Sequence, residues 1–279
     1  MQSTNEHQVI IPLYDGALPL VSRISKLVES KYSEVFYAVI VHGSVATNEV
    51  IPYSDFDGLL IVKDQFVNSK ALETFKRESM EMMLRFDPLQ HHGWFQIKES
   101  DLGSYPEDYL PVSTLSYSKC IFPKMSNLKL DLKLRHEIDY KKALVNMLNQ
   151  FEWRSKHNWK PKNSYQLKSM LSQVMLIPCL YFSVMHNDGI FKKDSFKAVQ
   201  EDFSSSEWMP IVIATDVRQH WVYKMNGFQK LLLQQPNTLI RKIATRFFAP
   251  KIAPQIQEKL DNTFYKNLMI MVEKIKREV

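Results

Sequence analysis

The sequence predicts an α+β chain: a small mixed β-sheet with flanking helices, followed by an α-helical bundle. Three observations carry that reading. Two runs, VFYAVIVH (35–42) and FDGLLIVK (56–63), are continuously apolar and rich in branched side chains, the pattern of strands buried on both faces. Beyond residue 127 the apolar residues recur at helical spacing, which marks helices with one buried face. Only seven of the 279 residues are glycine, which disfavours a loop-rich β-sandwich.

In chain order, LPLVSRISKLV (18–28) places Leu20, Ile24, Leu27 and Val28 on one face of a first helix. The strand at 35–42 follows. VATNEVIP (45–52) is too short for a crossover helix and suits a short helix or turn before the strand at 56–63. SKALETFKRESMEMMLRF (69–86) is amphipathic, with Leu72, Phe75, Met82, Met83 and Phe86 as its core face; its methionines are core by spacing. A third strand is predicted at 91–97, HHGWFQI. The stretch 104–127 carries three prolines and no clear period, so it reads as a connection. Helices are then predicted at 128–151, 164–186, 192–203, 206–224 and 255–277. The last aligns Ile256, Leu260, Phe264, Leu268, Met271 and Ile275. The expected domains are 1–105, a connection over 106–127, and a helical domain over 128–279.

Composition narrows the function. The opening MQSTNEHQ is polar and unlike a secretory signal. The longest apolar stretch, MLSQVMLIPCLYFSVM (170–185), contains Gln173 and Pro178 and falls short of the ~20 residues of a membrane span, so it reads as a core helix. Cys120 and Cys179 have no metal or redox spacing; both are expected reduced and buried. A cytoplasmic protein with no membrane partner is the expectation. The net charge of +6 is uneven: residues 1–100 hold 9 basic and 13 acidic residues, the remainder 27 and 17. A basic second half suits a polyanion such as a nucleoside triphosphate, yet no basic run is dense enough for a nucleic-acid arm.

The chemistry concentrates in HGSVATNEVIPYSDFD (42–57). Asp55 and Asp57 are two apart, so on an extended chain both point to one face. Two neighbouring carboxylates repel, and a divalent cation removes the conflict; Mg²⁺ is held by one or two carboxylates plus substrate phosphates. Upstream, Gly43 permits close backbone approach and Ser44 offers a hydroxyl, with N–H groups at a following helix start to cradle phosphate. A phosphate turn beside a metal-binding acid pair is what phosphoryl or nucleotidyl transfer requires.

Gly43-Ser44, a ten-residue gap and Asp55-Phe56-Asp57, between two strand-like runs, resemble the hallmark of the DNA polymerase β-like nucleotidyltransferase superfamily. The motif-level likeness covers residues 35–98. The helical second half is similar in architecture to small-molecule members such as the aminoglycoside nucleotidyltransferases. The resemblance implies a nucleotidyltransferase fold with its catalytic domain at 1–105. It implies transfer of a nucleoside monophosphate, most often AMP, from a nucleoside triphosphate to a hydroxyl, with release of pyrophosphate. On it, Gly43 and Ser44 hold the β- and γ-phosphates, Asp55 and Asp57 bind Mg²⁺ or Mn²⁺, and ATP is the co-substrate. Lys168 resembles in placement a basic residue offered to the triphosphate; a surface lysine on an amphipathic helix explains it as well.

The departure from the family pattern is the missing third acid. Alternation along the strand predicted at 91–97 puts His92, Trp94 and Gln96 on one face, and neither face carries an acid before Glu99. His92 is the expected occupant of the third position, where an imidazole serves as general base near neutral pH. His91 then faces away. Glu99 and Asp101 are the alternatives, each needing a shifted register. HNWKPKN (157–163) suits either base stacking or a helix connection, and Arg218 and Trp221 suit helix capping and packing. The acceptor is expected to be a small molecule, with RNA or protein as an alternative. A nucleotide-binding regulatory protein without turnover is a further one.

Overall fold

A computed structural model describes residues 6–279; of the polar opening read above, residues 1–5 lie outside the described residues. The described residues form six strands: β1 (Glu6–Pro12), β2 (Phe36–His42), β3 (Asp57–Val62), β4 (Phe95–Lys98), β5 (Lys119–Phe122) and β6 (Asn127–Lys133). The helices of the first half are α1 (Pro19–Leu27), α2 (Gly43–Ala46), α3 (Lys70–Phe86) and α4 (Val112–Ser116). Those of the second half are α5 (Tyr140–Lys156), α6 (Ser164–Val174), α7 (Ile177–His186), α8 (Lys192–Val199), α9 (Ser205–Gln219), α10 (Gly227–Leu233), α11 (Thr238–Phe247), α12 (Pro254–Lys259) and α13 (Asn262–Glu278). The chain divides into two compact units. The first is residues 1–50, 54–138 and 227–248; the second is 51–53, 139–226 and 249–279.

The first unit is built on a four-stranded sheet in the order β4-β3-β2-β5. β3 runs antiparallel to β2 and parallel to β4, and β5 is antiparallel to β2. The apolar runs at β2 and β3 sit in the centre because both of their faces are covered. Val39, Val41, Leu60 and Val62 pack under α1 and α3. Ala38, Ile40, Leu59 and Ile61 face the β1–β6 ribbon and α4. Each fully buried leucine here contributes roughly 1.5–3 kcal/mol. Ser69 caps α3 by accepting from the Leu72 N–H, and the helix ends at Asp87-Pro88, since the residue before a proline is disfavoured in helix.

Two expectations change here. Residues 106–127, expected to be a connection, contain α4 and the edge strand β5. Residues 128–133, expected to start a helix, lie within β6, whose Leu128, Leu130 and Leu132 are buried while Lys129, Asp131 and Lys133 are exposed. That alternation of two is a strand period. Its partner β1 lies more than a hundred residues earlier.

The second unit is helical. α13 packs on α9 and α5, burying Phe264, Leu268, Met271, Val272 and Ile275. The helix expected at 255–277 is two, because Asp261 caps a new start by accepting from the Phe264 N–H. The one expected at 164–186 is interrupted after Val174, two residues before α7, which has Pro178 in its first turn. By length and composition alone the 23 residues Ser164–His186 would suffice to cross a membrane, but 61% of their most apolar window is buried inside the protein.

Both cysteines are free and buried. Burial pushes the thiol of Cys120, in the first unit, and that of Cys179, in the second, up to about 11. Iodoacetamide at pH 8 is therefore expected to leave both unlabelled in the native protein and to label both in denaturant. Because the folded values are raised, their contribution to stability is complete below the ordinary thiol value of ~8.5 and is lost as pH rises to about 11.

Candidate active site

The site grows from the point where β2 ends and β3 begins. In the antiparallel register His42 pairs with Asp57, so the residues after β2 lie beside the residues before β3. His42 is extended (φ −136°, ψ −174°), and the chain then turns sharply through Gly43 at φ +64°. Only glycine takes that conformation without penalty. Space there is tight as well: a Cβ at Gly43 would stand 3.2 Å from Asp57 Oδ2. The turn closes into the single helical turn of α2, where the Thr47 N–H and hydroxyl both donate to the Gly43 carbonyl (3.1 and 3.3 Å). Glu49 N–H donates to the Ser44 carbonyl (2.9 Å).

Asp55 and Asp57 are held on one face by a residue that no motif marks. Gln90, fully buried, accepts from the Phe56 N–H (2.9 Å) and donates to the Phe56 carbonyl (2.7 Å). Its primary amide acts as a neighbouring strand would, and extends β-type pairing one residue beyond β3. Phe56 points into the core beneath α3, edge-on to Trp94 at 5.3 Å. The flanking aspartates therefore face the opposite way, their Cα atoms about 7 Å apart on an extended chain. Gln90 is delivered by the end of α3: Asp87 Oδ1 accepts from the Leu89 N–H, and the Gln90 N–H donates to the Asp87 carbonyl. Arg241 of α11 donates from its guanidinium to the Gln90 carbonyl.

The third position differs from the expectation. β4 begins at Phe95, not at 91, and pairs Phe95 with Leu59 and Gln96 with Leu60. Odd-numbered residues of β4 therefore share the face of Leu59, Asp57 and Asp55. Trp94 packs on the other side, against the α1–α3 core. The alternation is as expected, but it is the odd-numbered face that meets the acid pair; residues 91–94 lie before the strand, where the Gln90 amide donates to the His92 carbonyl (2.8 Å). It is His91 whose Nδ1 lies 3.8 Å from Asp55 Oδ2, both side chains at least nine-tenths buried. His92 is exposed. Glu99 and Asp101 follow Lys98, which pairs with Val62. They thus lie at the far end of β3 from the acid pair, about 16 Å along the strand, and neither supplies a third carboxylate.

The donor set suits a hard divalent cation. Two carboxylates share a face, and no described residue brings a cation or hydrogen-bond donor to the Asp57 carboxylate. No three His, Cys, Asp or Glu converge on one point among the described residues. The protein thus offers two carboxylates, which is how Mg²⁺ is held when substrate phosphates complete its shell.

Residues 21–142 match the family model described as a nucleotidyltransferase domain. This part of the chain is similar to nucleotidyltransferase domains. No curated protein matches the chain. Among solved structures it is similar to the spectinomycin adenyltransferase AAD(9) from Enterococcus faecialis with ATP and spectinomycin. That likeness is 12% identical, covers 83% of this chain and 98% of that one, and has a TM-score of 0.40. The matched residues include Gly43, Ser44, Asp55, Asp57 and His91.

Lys168 belongs to the second unit. It is not the surface lysine its helix suggests, since it is fully buried in α6. Its ammonium lies 5.1 Å from the centre of the Tyr53 ring, whose hydroxyl donates to the Lys168 carbonyl (2.7 Å). Arg218 lies over the same ring at 4.9 Å, and Trp221 meets it edge-on at 5.1 Å. Arg218 Nε and Trp221 Nε1 are buried donors with no acceptor among the described residues. The capping and packing roles expected of Arg218 and Trp221 thus become a cluster of cations and donors. In 157–163, Trp159 lies under the Arg154 guanidinium (4.8 Å) beside a cavity of about 160 Å³, below the ~300 Å³ of sites for drug-sized ligands.

Proposed function

We propose that the protein transfers AMP from ATP to a hydroxyl of a small-molecule acceptor, with Mg²⁺ bound by Asp55 and Asp57 and the β- and γ-phosphates by Gly43 and Ser44. The acceptor oxygen bonds to the α-phosphorus, the bond to the β-phosphate oxygen breaks, pyrophosphate leaves, and the hydroxyl proton passes to a base. The observation that carries the reading is the closeness of Gly43 to the Asp57 carboxylate: the turn suited to phosphate adjoins an acid that would hold a metal, which would supply charge neutralisation there. His91, rather than His92, orients Asp55. In the second unit, Arg218 is suited to an anionic group, because its buried Nε has no acceptor among the described residues and such a donor is costly until one arrives. The absence of a dense basic run favours a small acceptor over a polynucleotide.

The test is pyrophosphate release from labelled nucleoside triphosphates with Mg²⁺ or Mn²⁺, with and without hydroxylic acceptors. ATP is expected to be preferred, and release to depend on acceptor. His91→Ala is expected to lower turnover roughly 10- to 100-fold, as loss of an orienting partner does, and His92→Ala to stay near the parent. Equal loss in both variants would return the role to the pair. A second reading, a nucleotide-binding protein without turnover, is favoured by the lack of an acid on the Leu59 face of β4. Mg²⁺-dependent ATP binding with no pyrophosphate release across acceptors would establish it.

A further inference from the structure

The α10–α11 hairpin of the first unit turns an apolar surface outward. More than half of each of Phe228, Leu231, Leu239, Ile243 and Phe247 is exposed. Leu239, Ile243 and Phe247 succeed one another at i, i+4 and i+8 along α11, so they form one stripe. The opposite side of that helix faces the protein: Ala244 and Thr245 are buried, and Arg241 is bonded to Gln90. Phe228 of α10 meets Phe248 at 5.7 Å, which joins the two helices' apolar surfaces. Exposed apolar surface this concentrated marks an interaction site.

Charge identifies the occupant. Residues 227–248 hold Lys230, Arg241, Lys242 and Arg246 and no acid. Lys242 and Arg246 sit at the edge of the stripe, and Lys230 is exposed on α10. An apolar stripe edged by cations is the signature of a helix lying in the interface of an anionic bilayer. A second copy of the chain fits less well, because two-fold pairing of this patch would set like charges against each other. Nucleic acid fits less well because Leu231, Leu239 and Ile243 are aliphatic, whereas bases stack on aromatic rings. We infer that the α10–α11 hairpin docks on the surface of a membrane containing anionic lipid, with the stripe in the headgroup region and Lys230, Lys242 and Arg246 on lipid phosphates.

The test is co-sedimentation with vesicles of phosphatidylcholine alone or mixed with phosphatidylglycerol. The parent is expected to pellet with the mixed vesicles, less in high salt, and not with phosphatidylcholine alone. The double variant Ile243→Asp with Phe247→Asp is expected to lose at least about tenfold in affinity. The double variant Lys242→Gln with Arg246→Gln, which leaves the apolar stripe intact, is expected to lose roughly 25-fold. Far-UV circular dichroism checks that both fold; should the aspartate variant not fold, the glutamine variant decides alone. Failure of the parent to pellet with mixed vesicles, or pelleting of folded variants like the parent, overturns the inference. So does sedimentation velocity showing a dimer that the variants dissolve, which would assign the stripe to a second copy.

Discussion

Asp57→Asn is expected to lower nucleotidyl transfer by about a thousandfold while leaving the protein folded and slightly more stable. The two effects have one origin. The carboxylate lies against Gly43 and is free of protein hydrogen bonds and ion pairs among the described residues, so an isosteric amide costs the fold nothing. It also removes like-charge repulsion from Asp55. What is lost is a hard, charged oxygen for a divalent cation, which amides replace poorly. Stabilisation of transition-state charge by a metal is worth several kcal/mol, and about 4 kcal/mol is a thousandfold in rate. Thermal melts supply a readout independent of the acceptor. ATP with Mg²⁺ is expected to raise the Tm of the parent, since a ligand at 100 times its Kd adds ~2.7 kcal/mol, and to leave that of Asp57→Asn nearly unmoved. An Asp57→Asn protein that turns over like the parent would remove the acid pair from the chemistry.

Gln90→Leu is expected to damage both stability and rate. The side chain makes three hydrogen bonds, two to Phe56 and one to the His92 carbonyl. Leucine fills much of the volume but leaves the Phe56 N–H and carbonyl, in a fully buried residue, without partners. Each such group costs about 1–3 kcal/mol, so a loss of about 4 kcal/mol is expected, or roughly 10 °C in Tm. The residue that loses its clamp lies between the two aspartates, and a displacement of an ångström at reacting groups costs on the order of a hundredfold. The decisive measurement is kcat for Gln90→Leu at a temperature where circular dichroism shows it fully folded. A folded variant with parental kcat would mean that β3 alone holds the acid pair.

How much of this was legible follows from the range of each interaction. Gly43, Ser44, Asp55 and Asp57 were readable because their geometry is local: a left-handed turn, an extended i, i+2 pair, two apolar strands. β1 and β6 were not assembled because each is only seven residues long and finds its partner across the chain. That His91, not His92, lies beside Asp55 has a subtler reason. Alternation separates His91 from His92 but does not say which face meets the acid pair; that is set by the register of β4 on β3, with Phe95 beside Leu59, which no period within the strand reveals. Lys168 was placed on an amphipathic helix correctly but on the wrong side of it: it is fully buried, and the Tyr53 hydroxyl donates to its carbonyl. The α10–α11 hairpin went unread because its helices are short, seven and ten residues, so the apolar period has little length in which to show.

The first unit is discontinuous in sequence, and this matters on the ribosome. Arg241 and the rest of 227–248 belong with residues 1–138, but they are separated from them by about ninety residues of the second unit. At a synthesis rate of ~5–20 residues per second, the nascent sheet waits some 5–20 s before the segment that braces Gln90 is even made. During that interval the acid pair exists in sequence but lacks its last support. The nascent first unit is thus an incomplete body until the hairpin emerges.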